Sequence, residues 1–210
     1  ASINDTEVLR NEPVTTTATV ENTGTSSDVF TAELRIDGTV TDTRAVAVAA
    51  NSTETVTFES TISEAGTYSI AVNDLTAGTL RVDSPPTFVT SDLQPATTTI
   101  EQGESIFVSA VVTNEGTIES TKDVEFRIDG ETLRTERPTL GENDSITIGF
   151  PDVDTTGLGA GDHDYSVWTE DDSATGTLTV EPEPPNLSLD SASLNTTTVF
   201  EDEPVMTTAT

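Results

Sequence analysis

The side chains able to do covalent or proton-transfer chemistry are few. The chain has one His, His163, one Lys, Lys122, and no Cys. Nucleophilic catalysis needs a hydroxyl, thiol or amine activated by a neighbouring base or by a shifted pKa. His163 lies in Gly161-Asp162-His163-Asp164, which reads as an acidic, solvated loop leading into a strand. Lys122 would suit an intramolecular isopeptide staple, but the position 92 residues earlier holds Phe30, so the feature is not repeated. No catalytic residue is assigned, and the chain is expected not to be an enzyme.

Oxygen ligands are abundant instead. Asp152 with Asp154, Glu170-Asp171-Asp172, Glu201-Asp202-Glu203 and Asp83, Glu181 and Glu183 all cluster in sequence. Calcium takes six to eight converging oxygens, commonly with backbone carbonyls at a sharp turn. No EF-hand-like string occurs, and a solvated acidic surface accounts for most of these carboxylates. If a Ca²⁺ site exists, Asp152, Asp154 and Asp162 are its first candidates; no other cofactor is expected. Modification is the better-supported chemistry. Asn-x-Ser/Thr acceptor sites stand at Asn4, Asn51, Asn143, Asn186 and Asn195, five of the nine asparagines. Asn51 and Asn143 occupy equivalent positions of an internal repeat, as do Asn4 and Asn195.

The composition bounds what can position these groups. Among 210 residues, 38 are acidic and 8 basic, for a net charge of −30, with 33% hydrophobic and 5% aromatic residues. Low hydrophobicity with high charge is a signature of disorder, but a disordered tract has no reason to keep spaced repeats. The alternative is adaptation to very high salt. At 1 M salt the Debye length is about 3 Å, so self-repulsion is screened. Such a surface excludes nucleic acid as a partner, because nothing neutralises phosphates. No apolar run approaches the ~20 residues needed to span a bilayer. With no signal peptide or initiator Met, the sequence reads as a processed product or a window on something longer.

The repeat is explicit. Val20-Glu-Asn-Thr-Gly-Thr25 and Glu33-Leu-Arg-Ile-Asp-Gly38 recur as Val112-Thr-Asn-Glu-Gly-Thr117 and Glu125-Phe-Arg-Ile-Asp-Gly130, both shifted by 92. Period-2 alternation predicts half-buried strands at Val14, Thr16, Ala18, Val20 and at Ile106, Val108, Ala110, Val112. Gly24 and Gly116 are expected to reverse the chain with φ > 0, and Asp37-Gly38 and Asp129-Gly130 to form type I′ hairpins. Strands ending at Phe58 and Phe150 follow. Setting Tyr68 on Tyr165 then gives an offset of 97, the extra residues being the loop Gly157 to Gly161. About seven short strands per ~95 residues is the pattern of an immunoglobulin-like sandwich. Both tyrosines fall where such folds carry a tyrosine corner, and Ile70 and Val167 replace the usual Cys. Trp168 lies on the penultimate strand, so an antibody-type domain is excluded.

The fold class is therefore all-β, with tandem Ig-like sandwiches joined by short Pro-rich linkers into a rod. Domain 1 spans 1–82 and lacks the first strand that Pro86 to Asp92 supply to domain 2. Residues 83–86 form a linker, 87–180 domain 2, and 181–185 a second linker. Residues 186–210 begin a third copy: 192–210 align without gaps on 1–19 with 12 of 19 identities. This stub reads as the edge of a longer array. Alternatively, Asn186, Leu187, Ser188, Leu189 and Asp190 serve as a donor strand for domain 1 of a neighbouring copy.

The motif series V-x-N-x-G-T, L/F-x-I-D-G, N-S-T-x-T-V-x-F and G-T-Y resembles the CARDB type of Ig-like module, the cell-adhesion-related repeats of bacterial and archaeal surface proteins. The resemblance implies an extracellular spacer, scaffold or adhesive rod, and carries no catalytic or binding residues over. The expected function is a non-catalytic repeat of a stalk, fibre or filament on the surface of a halophilic archaeon, with other copies or repeats as partners. The alternatives are an adhesion module that recognises cell-surface glycans, and a spacer in a larger secreted enzyme or haloarchaeal virus.

Overall fold

The computed structural model describes residues 1–185, 187–188, 191–194, 201–202, 204 and 206–209, and among them there is no helix. The first repeat supplies β1 (Ser2–Ile3), β2 (Glu7–Leu9), β3 (Pro13–Asn22), β4 (Asp28–Ile36), β5 (Thr39–Val48), β6 (Ser52–Thr61), β7 (Gly66–Val72) and β8 (Leu75–Asp83). They form a three-stranded sheet, β1-β3-β6, facing a five-stranded one, β2-β8-β7-β4-β5.

The second repeat supplies β9 (Phe88–Gln94), β10 (Thr97–Glu101), β11 (Ile106–Asn114), β12 (Ser120–Thr121), β13 (Val124–Ile128), β14 (Glu131–Glu136), β15 (Thr139–Leu140), β16 (Ser145–Val153), β17 (Gly161–Trp168) and β18 (Ser173–Glu181). Its sheets, β9-β11-β16 and β10-β18-β17-β13-β14, repeat the first arrangement strand for strand. The leading segment of each unit divides between the two sheets. Its second part pairs in parallel with the last strand, β2 with β8 and β10 with β18. That division raises the seven strands expected to eight, and breaks between β12 and β13 and between β14 and β15 bring the second repeat to ten.

Inward residues alternate with outward polar ones, as a sandwich requires. Each sandwich has its own core, one drawn from Val14 to Val82 and one from Phe88 to Val180. The second core is built from larger groups. Phe88, Phe126, Phe150 and Tyr165 are fully buried in it, whereas Phe58 is the one aromatic ring buried to that degree in the first. Position by position, Ala32, Leu34 and Thr16 stand where the second repeat has Val124, Phe126 and Val108. Thr16 is buried with no hydrogen-bond partner for its hydroxyl among the described residues. At about 1.5–3 kcal/mol per buried large side chain, the second core should gain more from apolar burial than the first.

The hairpin expectation holds. Asp37 and Gly38 have φ of 48° and 78°, and Asp129 and Gly130 have 50° and 84°, the left-handed pair a type I′ turn needs. Two expectations need correcting. Gly24 and Gly116 do not have positive φ. Gly116 is required for space instead, since a Cβ there would lie 2.2 Å from the Pro85 carbonyl oxygen. The offset of 97 is also wrong for the penultimate strand. Ile36 pairs with Ile70 and Ile128 with Tyr165, so β17 corresponds to β7 at 165 − 70 = 95. His163, not Tyr165, therefore stands at the place of Tyr68. A shift of two residues leaves inward and outward faces unchanged, so alternation could not separate the two registers.

Beyond the second sandwich, β19 (Ala192–Leu194) pairs antiparallel with β20 (Thr207–Ala209). Ser193↔Thr208 and Leu194↔Thr207 repeat, at an offset of 191, the Ser2↔Thr17 and Ile3↔Thr16 pairing of β1 with β3.

Candidate functional site

The Asn of V-x-N-x-G-T is the local organiser. The Asn22 side-chain N–H groups donate to the carbonyls of Ser26 and Val48, and its oxygen accepts the Gly24 N–H. Asn114 repeats this with Ile118, Leu140 and Gly116, adds Gly141 and the Thr87 N–H, and is fully buried. One amide thus fastens the turn after β11 to the end of β15 and to the chain leading into β9. Its recurrence in both copies is the signal that could have revealed the role.

Around Asn114 the two repeats are joined. Thr117 Oγ1 donates to Asp83 Oδ1 at 2.7 Å and accepts the Ser84 N–H at 2.9 Å, while the Thr117 N–H donates to the Ser84 carbonyl at 3.2 Å. Arg81 Nε completes the cluster, 2.9 Å from Asp83 Oδ1. Burial alone would push the Asp83 carboxyl up, but the bonds from Thr117 and Arg81 outweigh it and hold it below its ordinary value. Pro85 closes over Gly116. The equivalent residue in the first repeat, Thr25, is exposed.

The two sandwiches differ at one edge. In the second, β9 pairs with β11 from Gln94 through Phe88. Phe88 is fully buried; its N–H donates to Asp171 at 2.7 Å, and the Thr90 N–H donates to Asp172 at 2.8 Å. That backbone bond is the main reason Asp172 sits below its ordinary pKa. Lys122, held by Glu170 and Asp171, lies 5.7 Å from the Phe88 ring centroid. In the first sandwich β1 pairs with β3 only at Thr16 and Thr17. Beside the free edge of β3 opens a groove of about 500 Å³ lined by Ala18, Val20, Phe30, Val72, Asp74 and Leu75 among others. Phe30, the counterpart of Lys122, is 40% exposed there.

The structure does not gather the acidic candidates. Asp152 is exposed at a left-handed position. Asp154 accepts the Thr156 N–H, and Asp162 accepts the Thr179 hydroxyl. Among the described residues no group of three or more His, Cys, Asp or Glu side chains converges as a metal site. His163 is occupied at both nitrogens, by Asp129 and by the Gly159 carbonyl. The Trp168 ring is covered by the Arg127 guanidinium at 3.7 Å.

The sequon residues Asn51 and Asn143 are exposed and left-handed, with φ of 50° and 55°, in the turns before β6 and β16. Asn4 is exposed, its amide oxygen accepting the Thr15 N–H. Asn186, Leu189, Asp190 and Asn195 lie outside the described residues; Leu187 is 90% exposed and Ser188 exposed.

Two facing sheets, antiparallel but for the strand that pairs with the last one, define an immunoglobulin-like module with its leading segment shared between them. Within that class, residues 1–76 match the family model described as CARDB. The chain is similar to the solved fibronectin(III)-like modules of Clostridium thermocellum CbhA, at 15% identity over 89% of this chain and 98% of that one, with a TM-score of 0.32. It is also similar to a chimeric titin Z1Z2 tandem, at 16% identity over 88% and 97%, TM-score 0.28. The N-terminal four Ig domains of Dscam1 match at 16% identity over 84% and 43%, TM-score 0.29. Likeness at this level concerns fold alone. No curated protein matches the sequence. The CARDB match covers residues 1–76, and modules of that kind are typical of extracellular and surface proteins and generally non-catalytic. No helix among the described residues is long and apolar enough to cross a membrane.

Proposed function

We propose that this chain is a mechanical repeat of an extracellular stalk or filament of a halophilic organism, glycosylated at the turns of Asn51 and Asn143. The observation that carries the reading is the joint between repeats. Asp83 and Ser84 are hydrogen-bonded to Thr117, and Pro85 rests on Gly116. A hydrogen-bonded linker sets one relative orientation at low entropic cost, which a spacer needs and a freely tethered binding domain does not. Net charge of −30 supports the halophilic part, since such a surface suits molar salt.

Glycan recognition is less well supported. Ring faces that stack on sugars must be free, and Arg127 covers that of Trp168. Small-angle scattering in molar salt tests the proposal. The expected result is an elongated profile with two separated masses, and a single compact particle would overturn it.

A further inference from the structure

We propose that β5 is a self-pairing edge, through which two copies of this chain join antiparallel about a two-fold axis at Thr43. The inference stands apart from the stalk reading and concerns how copies associate side by side.

β5 ends the five-stranded sheet of the first sandwich, and no other described strand pairs with its outer side. Its main chain is turned outward where a partner needs it. Glu33, opposite Thr43, directs its N–H and its carbonyl to Asn73, at the end of β7 on the other side of β4. The Thr31 carbonyl, opposite Ala45, also goes to Asn73. Opposite residues of an antiparallel pair that do not bond each other point their main-chain groups away, so Thr43 and Ala45 offer theirs to the free edge. The Thr43 N–H is met there by the neighbouring Asp42 carboxylate, at 2.7 Å. An unpaired edge of this kind is a template for another chain. Strand addition draws affinity from such main-chain groups and specificity from the side chains between them.

Charge selects the partner. Thr39–Val48 carry one Asp and one Arg, a net charge of zero within a chain of −30. Asp42 and Arg44 lie 3.5 Å apart, opposite the inward Leu34 and Ala32, and Arg44 reaches over the Phe58 ring. An inward-pointing charge guards an edge against foreign strands. The two signs stand one residue either side of Thr43, so a two-fold axis at Thr43 sets each Asp42 against Arg44 of the second copy. The same register sets Val40, 42% exposed, against Val46, and Thr41 against Ala45. Moving the axis by one residue sets Asp42 on Asp42 or Arg44 on Arg44, and like charges directly opposite are destabilising. β14, the corresponding edge of the second sandwich, reads Arg134-Thr135-Glu136, with the signs in reverse order (134 − 42 = 92). Laid antiparallel on β5 about the same centre, it puts Glu136 on Asp42 and Arg134 on Arg44, and Pro138 cuts its own edge short. The strand that fits β5 is therefore β5 of another copy, an isologous contact.

Sedimentation of the 210-residue chain in molar sodium chloride, from about 1 µM to about 500 µM, tests this. The expected result is a monomer–dimer equilibrium that weakens as salt is lowered, because screening of the two chains' charge is lost. Arg44→Glu, which sets like charges opposite each other twice, should weaken it at least about tenfold, with an unchanged far-ultraviolet spectrum. Asp42→Arg should do the same. Asp42→Arg and Arg44→Asp together should return it to within about threefold of wild type. The chain has no Cys, so Thr43→Cys places one thiol per copy at a Cα separation of about 5.5 Å and should give a disulfide-linked dimer. Thr41→Cys should not link to itself but should link to Ala45→Cys. A wild-type chain that stays monomeric throughout overturns the edge. A dimer that the double exchange does not restore, or that Thr41→Cys alone cross-links, lies elsewhere and overturns it too. Scattering on the Arg44→Glu monomer reads the stalk by itself, so either proposal can fail alone.

Discussion

His163 makes to the Gly159 carbonyl the bond that Tyr68 makes to the Glu64 carbonyl. Each spans four residues back along the chain at 2.9 Å, so the tyrosine corner of the first sandwich is a histidine corner in the second. The other ring nitrogen of His163 lies 2.6 Å from Asp129 Oδ2. With an acceptor at each nitrogen, the doubly protonated ring is favoured. Asp129 first and Gly159 second raise the pKa above 6.5, while His163 holds the Asp129 carboxyl below 3.8.

The pH consequence has a defined sign. A raised histidine pKa contributes stability that is fully present below about 6.5 and is lost as pH rises through the folded value. A lowered Asp129 pKa contributes stability above 3.8 that is lost as pH falls through its folded value. The second sandwich should therefore lose stability on going from mildly acidic to mildly alkaline pH. In His163→Tyr, which keeps a group at the corner but removes the charge, that loss should vanish. Thermal melts between pH 5 and about pH 9 check both, and an unchanged slope in the variant would refute the assignment.

Thr16→Val should stabilise the first sandwich. The buried Thr16 hydroxyl has no partner among the described residues, and the second repeat holds Val108 at that place. Removing an unmet buried hydroxyl without changing shape should gain about 1–3 kcal/mol in denaturant midpoint analysis.

Asn114→Ala should be among the most damaging single changes. It strips several bonds from one fully buried amide and leaves carbonyls of β15 and the following turn unmet. A loss of about 3 kcal/mol or more is expected. Asn22→Ala, more exposed and with fewer bonds, should cost about 1–2 kcal/mol. Urea unfolding of the two variants ranks them, and the reverse order would count against the network.

At the joint, Thr117→Val should cost the clamp its donor to Asp83 and its acceptor for Ser84 while keeping the sandwich folded. Gly116→Ala should do more, because its Cβ cannot coexist with the Pro85 carbonyl. Residual dipolar couplings should report a broadened distribution of relative orientation in both variants, and unchanged couplings would refute the clamp. Asp83 titrates below 3.8, so the joint should also loosen in acid, as pH falls through that lowered value.

Salt should stabilise both units. With charge of −30 on 210 residues, screening between low and molar sodium chloride should raise the melting temperature by at least about 10 °C. A flat dependence would remove the halophilic reading.

Much of this architecture was legible. The alternation at Val14 to Val20 and Ile106 to Val112, and the Asp-Gly hairpins, state their geometry locally. Other features depend on distance. The register of β17 hung on a two-residue shift that alternation cannot detect, and two tyrosines at corner-like positions drew the alignment to the wrong partner. Gly116 signalled a turn, but its lack of a side chain answers to Pro85, thirty-one residues away (116 − 85 = 31). The groove of the first sandwich emerges only when Phe30 is set against Lys122 and the strand that Lys122 covers.

The turn that grips the preceding linker at Gly116 and Thr117 recurs, facing solvent, at Gly24 and Thr25. Every duplication of the coding stretch therefore imports a plug and its socket together. In a stalk of such units, as proposed above, reach would be set by copy number, with no new fitting to invent.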